Sequence, residues 1–417
     1  MTGSAQQLAA TEQGGEKLPG VSGVTDPYYV SVAYSHEPTD PRIRRHCEAM
    51  ARRGWRVVHI GLAGPRERRV GRLNGVVLLR WSRPRYRGAG LLRYGWSYLR
   101  FFLWVRRVVA RVSARRPVRV VQVNNVPTYL VWAVGGARRR GARVVLDIHD
   151  PEPELFLSKF GQRPGARIGA RLLAWGERAA AHRADLVLCV HDEHRRLTEA
   201  HGVPPGKLRV IVNQADARLF PLAPPRPATP FVGYHGTVSR RMGLDVVLQG
   251  LALLRDRRVT VRGAIWGDGD DVARLQGIRD RLGLTGTVEI PGQRFRLEEL
   301  LPRVRALGVG LVPLARDVMT DIMLPTKLLE YVRLGVPVVV SWTPTIAHYF
   351  SEDAVRYVRD LSPAAVADAV AELLRDPVAA QRRAARAQAL PIARAWQESG
   401  EREFVNLVEE LGSSADH

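Results

Sequence analysis

The residues best suited to chemistry lie in one short stretch, Met323-Leu-Pro-Thr-Lys-Leu-Leu-Glu-Tyr331. Pro325 followed by Thr326 and Lys327 reads as a helix N-terminus, where backbone amides lacking an intrahelical partner attract an anion. Lys327 adds a point charge there, and Leu328 carries the helix onward. Glu330 follows at i+3 on the face of Lys327, so a carboxylate reaches the same place and can accept hydrogen bonds from a ribose diol. The plainer alternative is a helix start with an intrahelical Lys–Glu pair. Lysine occurs only at positions 17, 159, 207 and 327 among 63 Lys and Arg residues, so this one reads as retained for its compact charge.

A second segment, Tyr234-His-Gly-Thr-Val-Ser-Arg-Arg-Met-Gly-Leu-Asp245, has a strand ending at Gly236 and Thr237, a short loop, and a helix from about Gly243. Arg240 and Arg241 in that loop project into the strand-end cleft where a diphosphate would sit, unless they are a solvated pair. In Ile265-Trp-Gly-Asp-Gly-Asp-Asp271, Asp268 and Asp270 imitate an Asp-x-Asp metal motif. Glycines and acids between strand and helix are more simply turn and cap residues, so no metal site is expected there. Nor does any His/Cys cluster offer one. Nearer the N-terminus, Val144-Val-Leu-Asp-Ile-His-Asp150 sets His149 just past a strand, between Asp147 and Asp150. A histidine there can orient a sugar hydroxyl or move a proton near neutrality, or be merely structural. Ser35-His-Glu-Pro-Thr-Asp40, with His36, leaves the first strand toward the same cleft.

These groups need a scaffold that brings strand ends together. From Tyr28, short β-branched runs alternate with helical patterns, which predicts a parallel sheet wrapped by helices. The runs Tyr29–Tyr34, Trp55–Ile60, Val76–Trp81, Arg119–Val123, Arg143–Ile148, Leu186–Val190 and Leu208–Val212 read as strands of one unit. Helices are expected at Pro41–Arg53, Val126–Arg140 and Ala166–Arg183. Four prolines within Leu222–Pro230 make a linker. A second alternating series comes after it, and beyond Asp376 the pattern is helical to about Leu411. The expected division is a disordered tail over 1–27, a Rossmann-like domain over 28–222, a linker over 223–230, a second Rossmann-like domain over 231–395, and a C-terminal helix over 396–417 returning to the first domain. Two doubly wound halves place a ligand cleft between the carboxyl ends of their strands.

The 417 residues carry a net charge of +22, which calls for an anionic partner: phosphorylated substrate, lipid surface or nucleic acid. The basic residues are dispersed and match no nucleic-acid reading module, so nucleic acid is not expected. The two cysteines form no disulfide framework and the tail has no secretory pattern, which suggests a cytoplasmic location. Gly88 to Val112 is rich in aromatic residues, with Arg93, Arg100, Arg107 and Arg111 at helical spacing. Too short an apolar run to span a bilayer, it reads either as an interfacial helix on an anionic membrane, helped by Arg42, Arg44, Arg45, Arg52 and Arg53, or as a core helix packed on the sheet.

Taken in order, the Tyr234-His-Gly-Thr and Arg241-Met-Gly-Leu-Asp segments, the turn at 267–269, Leu324-Pro-Thr-Lys-Leu-Leu-Glu-Tyr and Asp147-Ile-His-Asp resemble the family-four glycosyltransferases of the GT-B fold over about 28–410. The resemblance implies a retaining, metal-independent transfer from a nucleotide-diphosphate sugar to a glycan or lipid-linked acceptor, with no cofactor. It implies that Glu330, closing a Glu-x7-Glu motif, holds the donor ribose, and that Arg241 and Lys327 grip the diphosphate. Gly236, Thr237, Gly267, Pro325, Thr326 and Leu328 would line the donor site, and His149 would contact the transferred sugar. His36 and Asp150 would lie on the acceptor side. The opening Glu falls at Ile322, with Asp321 a substitute sugar contact about 100° around if helical. The glycine-rich loop after the first strand is replaced by Ser35-His-Glu-Pro-Thr. A nucleotide-sugar epimerase and a catalytically silent donor-binding relative are the rival expectations.

Overall fold

The computed structural model describes residues 26–36, 40–64, 67–82 and 91–413, so the expected N-terminal tail falls almost wholly outside the described residues. Two sheets organise the chain. The first contains β1 (Tyr28–His36), β2 (Arg56–Leu62), β3 (Val70–Leu73), β4 (Val76–Trp81), β5 (Val118–Asn124), β6 (Arg143–Asp147), β7 (Leu186–Cys189) and β8 (Leu208–Val210), in the order β3-β4-β2-β1-β5-β6-β7-β8. All neighbours are parallel except the β3–β4 pair. The second contains β9 (Phe231–His235), β10 (Arg262–Trp266), β11 (Val288–Glu289), β12 (Val309–Val312), β13 (Val338–Ser341) and β14 (Arg356–Val358), all parallel, in the order β11-β10-β9-β12-β13-β14. This is the expected GT-B arrangement of two doubly wound α/β units. Strand order reverses between β1 and β5 in one sheet and between β9 and β12 in the other, and such switch points open ligand crevices at the carboxyl ends.

Helices cover both faces of the first sheet. On one lie α1 (Pro41–Arg52) and the returning C-terminal helix; on the other lie α2 (Leu91–Arg115), α3 (Leu130–Ala133) and α4 (Gly135–Arg138). The alternation along β1 settles this, because Val30 and Val32 pack with α2 while Tyr29 and Ala33 pack with α1. Then come α5 (Glu152–Phe160), α6 (Ala166–Arg183) and α7 (Asp192–Ala200). The second unit adds α8 (Leu244–Asp256), α9 (Val272–Arg281), α10 (Leu297–Arg305), α11 (Thr326–Arg333), α12 (Pro344–Tyr349), α13 (Pro363–Arg375) and α14 (Pro377–Ala389). The last helix, α15 (Gly400–Ser413), crosses back: Phe404 stacks on His46 at 4.0 Å, and Glu401 and Glu409 pair with Arg52 of α1 and with Arg53, its C-cap.

Two expectations are corrected and one pair of alternatives is narrowed. The helix expected over Val126–Arg140 is two single turns, because the chain up to Pro127 is irregular and the helical run beyond it breaks at Val134, just before the Gly135-Gly136 start of α4. The aromatic helix α2 packs on the sheet through Tyr98, Phe101, Val105 and Val109, as the core-helix alternative has it, while Trp96, Leu99 and Leu103 stay exposed. The α1 arginines do not extend a basic surface beside it: they lie on the opposite face of the sheet, Arg42 and Arg45 buried and Arg44, Arg52 and Arg53 in ion pairs. The Pro-rich linker lies along the second unit, held by Ala223 N–H to Arg333 O and Arg226 N–H to Gly335 O, both 2.9 Å.

Candidate functional site

At the second switch point, β9 ends in His235 and Gly236, and the next loop folds across the β12 side. Ala315 N–H donates to Arg241 O at 2.9 Å, so the loop after β12 fixes the backbone of the arginine. Arg240 and Arg241 part ways there. Arg240 is 82% exposed and faces Asp271, whereas Arg241 turns inward and its Nη1 is buried without a hydrogen-bond partner. A buried guanidinium N–H with nothing to donate to is costly, so this one marks a place where an acceptor belongs.

Opposite stands α11. Pro325 is its N-cap with extended backbone, no side chain caps it, and the first amides of Thr326 and Lys327 stay available. Lys327 Nζ lies over the Tyr234 ring, 4.6 Å from its centroid, and its chain passes Gly236 so closely that a Cβ there would come within 3.2 Å of Lys327 Cε. Gly236 also has φ +119°, so both crowding and backbone conformation require glycine. Burial lowers the Lys327 pKa to about 8; Glu330 works against this and Arg241 reinforces it. One turn on, Glu330 Oε2 accepts from His235 Nε2 at 2.6 Å, and the far ring nitrogen of that histidine meets Tyr331 OH at 3.0 Å. Tyr234 OH donates to Thr237 O at 2.5 Å. Cation, amides and carboxylate thus share one small cradle.

The glycine turn after β10 packs against the same loop. Val238 N–H donates to Asp268 O at 3.0 Å, and a Cβ on Gly267 or Gly269 would collide with the carbonyl of Gly236 or Val238. Those glycines serve close backbone approach. Asp268 caps its own turn by accepting from Gly269 N–H at 2.8 Å, and Asp271 pairs with Arg274.

Across the cleft, the ends of β5 and β6 hold a dense polar network. His149 Nε2 meets Asp147 Oδ2 at 3.0 Å, and its backbone N–H donates to Asn125 Oδ1 at 2.7 Å. Asp147 Oδ2 also accepts from Gln122 at 3.0 Å, while Arg42 Nη1 stands 3.7 Å from Oδ1. Burial alone would raise the Asp147 pKa, yet His149, Arg42 and His46 together hold it well below the usual carboxylate range. Burial pushes His46 and His194 down and His191 to about 4. Asp150 is half-buried, its backbone carbonyl accepting from Asn125 Nδ2 at 2.7 Å. His36 ends β1, and its side chain lies outside the described residues.

The two halves touch at the cleft. Tyr349 OH of α12 donates to Asp192 Oδ2 at 2.7 Å and accepts from its backbone N–H at 2.9 Å, and Ser158 OH donates to Asp317 at 2.6 Å. His191 hydrogen-bonds the backbone of Ile322. Thr320–Ile322 form a separate 3-10 turn before α11, so Asp321 and Glu330 do not share a helix; Arg316 takes the Asp321 carboxylate with two bonds of 2.9 Å. Hence the cleft brings together Arg241, Thr326, Lys327 and Glu330 but leaves Asp321 occupied elsewhere. Sequence reasoning missed His235, although it lies within the quoted Tyr-His-Gly-Thr segment, and Arg42, which among Arg44, Arg45 and His46 in the same basic run gave no sign of being the cation held beside Asp147.

Comparison with known proteins agrees with this architecture. Residues 39–214 match the glycosyl transferase 4-like domain and residues 229–376 match glycosyl transferases group 1. The chain is 25% identical over 305 residues to alpha-D-kanosaminyltransferase of Streptomyces kanamyceticus, covering 66% of this chain and 72% of that one. Among solved structures, sucrose-phosphate synthase from Thermosynechococcus elongatus aligns with TM-score 0.72 at 18% identity, covering 93% of this chain and all of that one. Anabaena Alr3699/HepE in complex with UDP and glucose aligns with TM-score 0.67 at 16% identity, over 93% and 99% of the two chains. These matches favour sugar transfer over the epimerase reading. With the two models succeeding one another along the two sheets, the chain belongs to the GT-B glycosyltransferases.

Proposed function

We propose that the enzyme transfers a sugar, with retention, from a nucleoside-diphosphate sugar to a glycan or lipid-linked acceptor. The observation that carries the donor class is the buried, unpartnered Nη1 of Arg241 facing an uncapped helix start that bears Lys327. Arg241, Lys327 and the amides of Thr326 and Lys327 hold the diphosphate, and their positive field stabilises the charge that grows on it as the sugar–oxygen bond breaks. Glu330, oriented by His235, takes the ribose hydroxyls. That a neighbour of the same fold carries UDP and glucose supports this reading.

On the opposite wall, His149 faces the sugar or its acceptor. With Nε2 donating to Asp147, the neutral ring presents Nδ1 as an acceptor for a hydroxyl proton. The acceptor oxygen then bonds to the sugar on the face the diphosphate leaves. No cofactor or metal is required in this scheme, since cations of the chain carry the phosphate charge. The enzyme works in the cytoplasm, at an anionic membrane surface when its acceptor is lipid-linked. A thermal-shift screen of nucleoside diphosphates and their sugars tests the donor reading, because a ligand at ~100 times its Kd adds about 2.7 kcal/mol to stability. Stabilisation by none of them defeats it.

A further inference from the structure

The most exposed large apolar side chains of the first unit share one helix. Ile168, Leu172 and Trp175 of α6 are 64%, 66% and 71% exposed, and their spacing of four and three residues sets them in one stripe. Exposed Arg167, Arg171 and Arg178 flank them, and exposed Lys159 in the last turn of α5 and Arg163 on the α5–α6 connection precede them. The only acid from Lys159 to Arg178 is Glu177, which is fully buried. Phe160, with the Arg163 guanidinium 5.1 Å from its ring centre, extends the apolar part. Helix α3, bearing half-exposed Trp132, touches both α6 and α2, where Trp96 and Leu99 are also exposed.

We infer that the α5–α6 hairpin docks this enzyme on an anionic lipid bilayer, with Ile168, Leu172 and Trp175 entering the headgroup boundary and the surrounding arginines meeting lipid phosphates. Apolar side chains ringed by cations of one sign suit that surface. A second copy of the chain does not suit it, because a two-fold contact would press each cluster of cations against its twin. The placement is also productive. Helix α5 begins two residues after Asp150, and its Ser158 reaches Asp317 of the other unit, so the hairpin forms a rim of the cleft. A lipid-linked acceptor would rise from the bilayer beside His149. This inference rests on the proposed lipid-linked acceptor only for its purpose; its test does not.

Flotation of the full chain with phosphatidylcholine vesicles, with and without phosphatidylglycerol, provides the test, alongside a nucleoside-diphosphate thermal shift on the same samples. The chain should float only with the anionic vesicles and less so in high salt. The triple variant Ile168→Ser/Leu172→Ser/Trp175→Ser should lose ~100-fold or more in partitioning. Arg167→Gln/Arg171→Gln should lose about fivefold per arginine. Trp96→Ser/Leu99→Ser on α2 should lose less than the α6 variant. All these positions are exposed, so melting temperatures should match the parent, and the nucleotide shift should persist whichever way flotation goes. The inference is overturned if the parent floats with neither vesicle, if the α6 variant floats as well as the parent, or if the α6 variant instead abolishes a self-association seen without lipid. Loss of the nucleotide shift in the parent would count against the donor reading, leaving this one intact.

Discussion

The two walls of the cleft arrange their charges differently. The second unit presents groups that lack partners: the Nη1 of Arg241, the first amides of α11, and a lysine crowded against Tyr234. The first unit instead gathers its groups around a buried carboxylate: Asp147 is bound by His149 and Gln122 with Arg42 at 3.7 Å, and although Arg42 Nη1, His46 Nε2 and His194 Nε2 have no hydrogen-bond partner, burial drives both of those histidines toward the neutral form. An unsatisfied cationic site has free energy to release when an anion arrives. A carboxylate already held by its own cation and amide offers nothing to a second anion, but it fixes the position of the half-buried His149. In the proposed mechanism, binding and charge stabilisation therefore fall to the second unit and orientation to the first.

The largest effect should come from emptying the cationic wall. Arg241→Ala and Lys327→Ala should each depress turnover as well as donor affinity, by roughly 2–4 kcal/mol in transition-state stabilisation. Steady-state kinetics on folded variants checks this. A change confined to KM would mean the cradle binds donor equally in ground and transition states, and the contrast between the walls would blur. His149→Ala on the other wall should cost at least ~100-fold in turnover while nucleotide affinity stays nearly intact. Equal losses of affinity would break the division of labour.

The two walls also differ in how legible they are from sequence, because the information sits differently in each. The donor cradle is local: Pro325 to Glu330 and Tyr234 to Arg241 are contiguous runs whose spacing already implies a helix start and a strand-end loop. The alternation of β-branched runs exposed both sheets for the same reason, although the short strands β3 and β14 and the helices α5 and α7 left too brief a pattern. The first-unit network is non-local. Gln122, Asp147, Arg42 and His46 meet only because β5, β6 and α1 pack together, and of the four only Asp147, in the Asp-Ile-His-Asp run, carries a distinctive neighbour in sequence. For α2, helical spacing tells which residues share a face but not which face is buried, so it left the interfacial and core readings side by side. Which face that is was decided by the sheet, to which α2 turns Phe101 and Val105.

A finer test separates the two halves of the cradle. Glu330→Gln keeps the shape of the side chain but loses its charge-assisted bonds, so it should weaken nucleoside diphosphates by roughly 1.5–3 kcal/mol. Inorganic pyrophosphate, lacking a ribose, should bind that variant as it binds the parent and should be weakened only by Lys327→Ala. Calorimetry of both ligands against both variants reads this directly. Pyrophosphate sensitive to Glu330 and indifferent to Lys327 would invert the assignment. His235→Phe should reproduce part of the Glu330 defect, since His235 Nε2 holds the carboxylate at 2.6 Å.

The smallest effect is a pH dependence. In the free enzyme Lys327 titrates at about 8, because burial disfavours its charged form and Arg241 adds repulsion, more than Glu330 compensates. A diphosphate favours the protonated lysine, so binding takes up a proton over the range where the free side chain has lost its own. The phosphate groups cannot contribute there, since their last ionisation lies near ~6. Affinity for a nucleoside diphosphate should therefore be level below about pH 7 to 8 and fall as pH rises through 8, by at most about tenfold by pH 9. In Lys327→Arg the guanidinium stays charged throughout, and the decline should vanish even if the absolute affinity is lower. Titration calorimetry in buffers of different ionisation enthalpy would count the proton taken up near pH 8.5. A decline that survives in the arginine variant would place the titrating group elsewhere in the cleft and remove Lys327 from the phosphate.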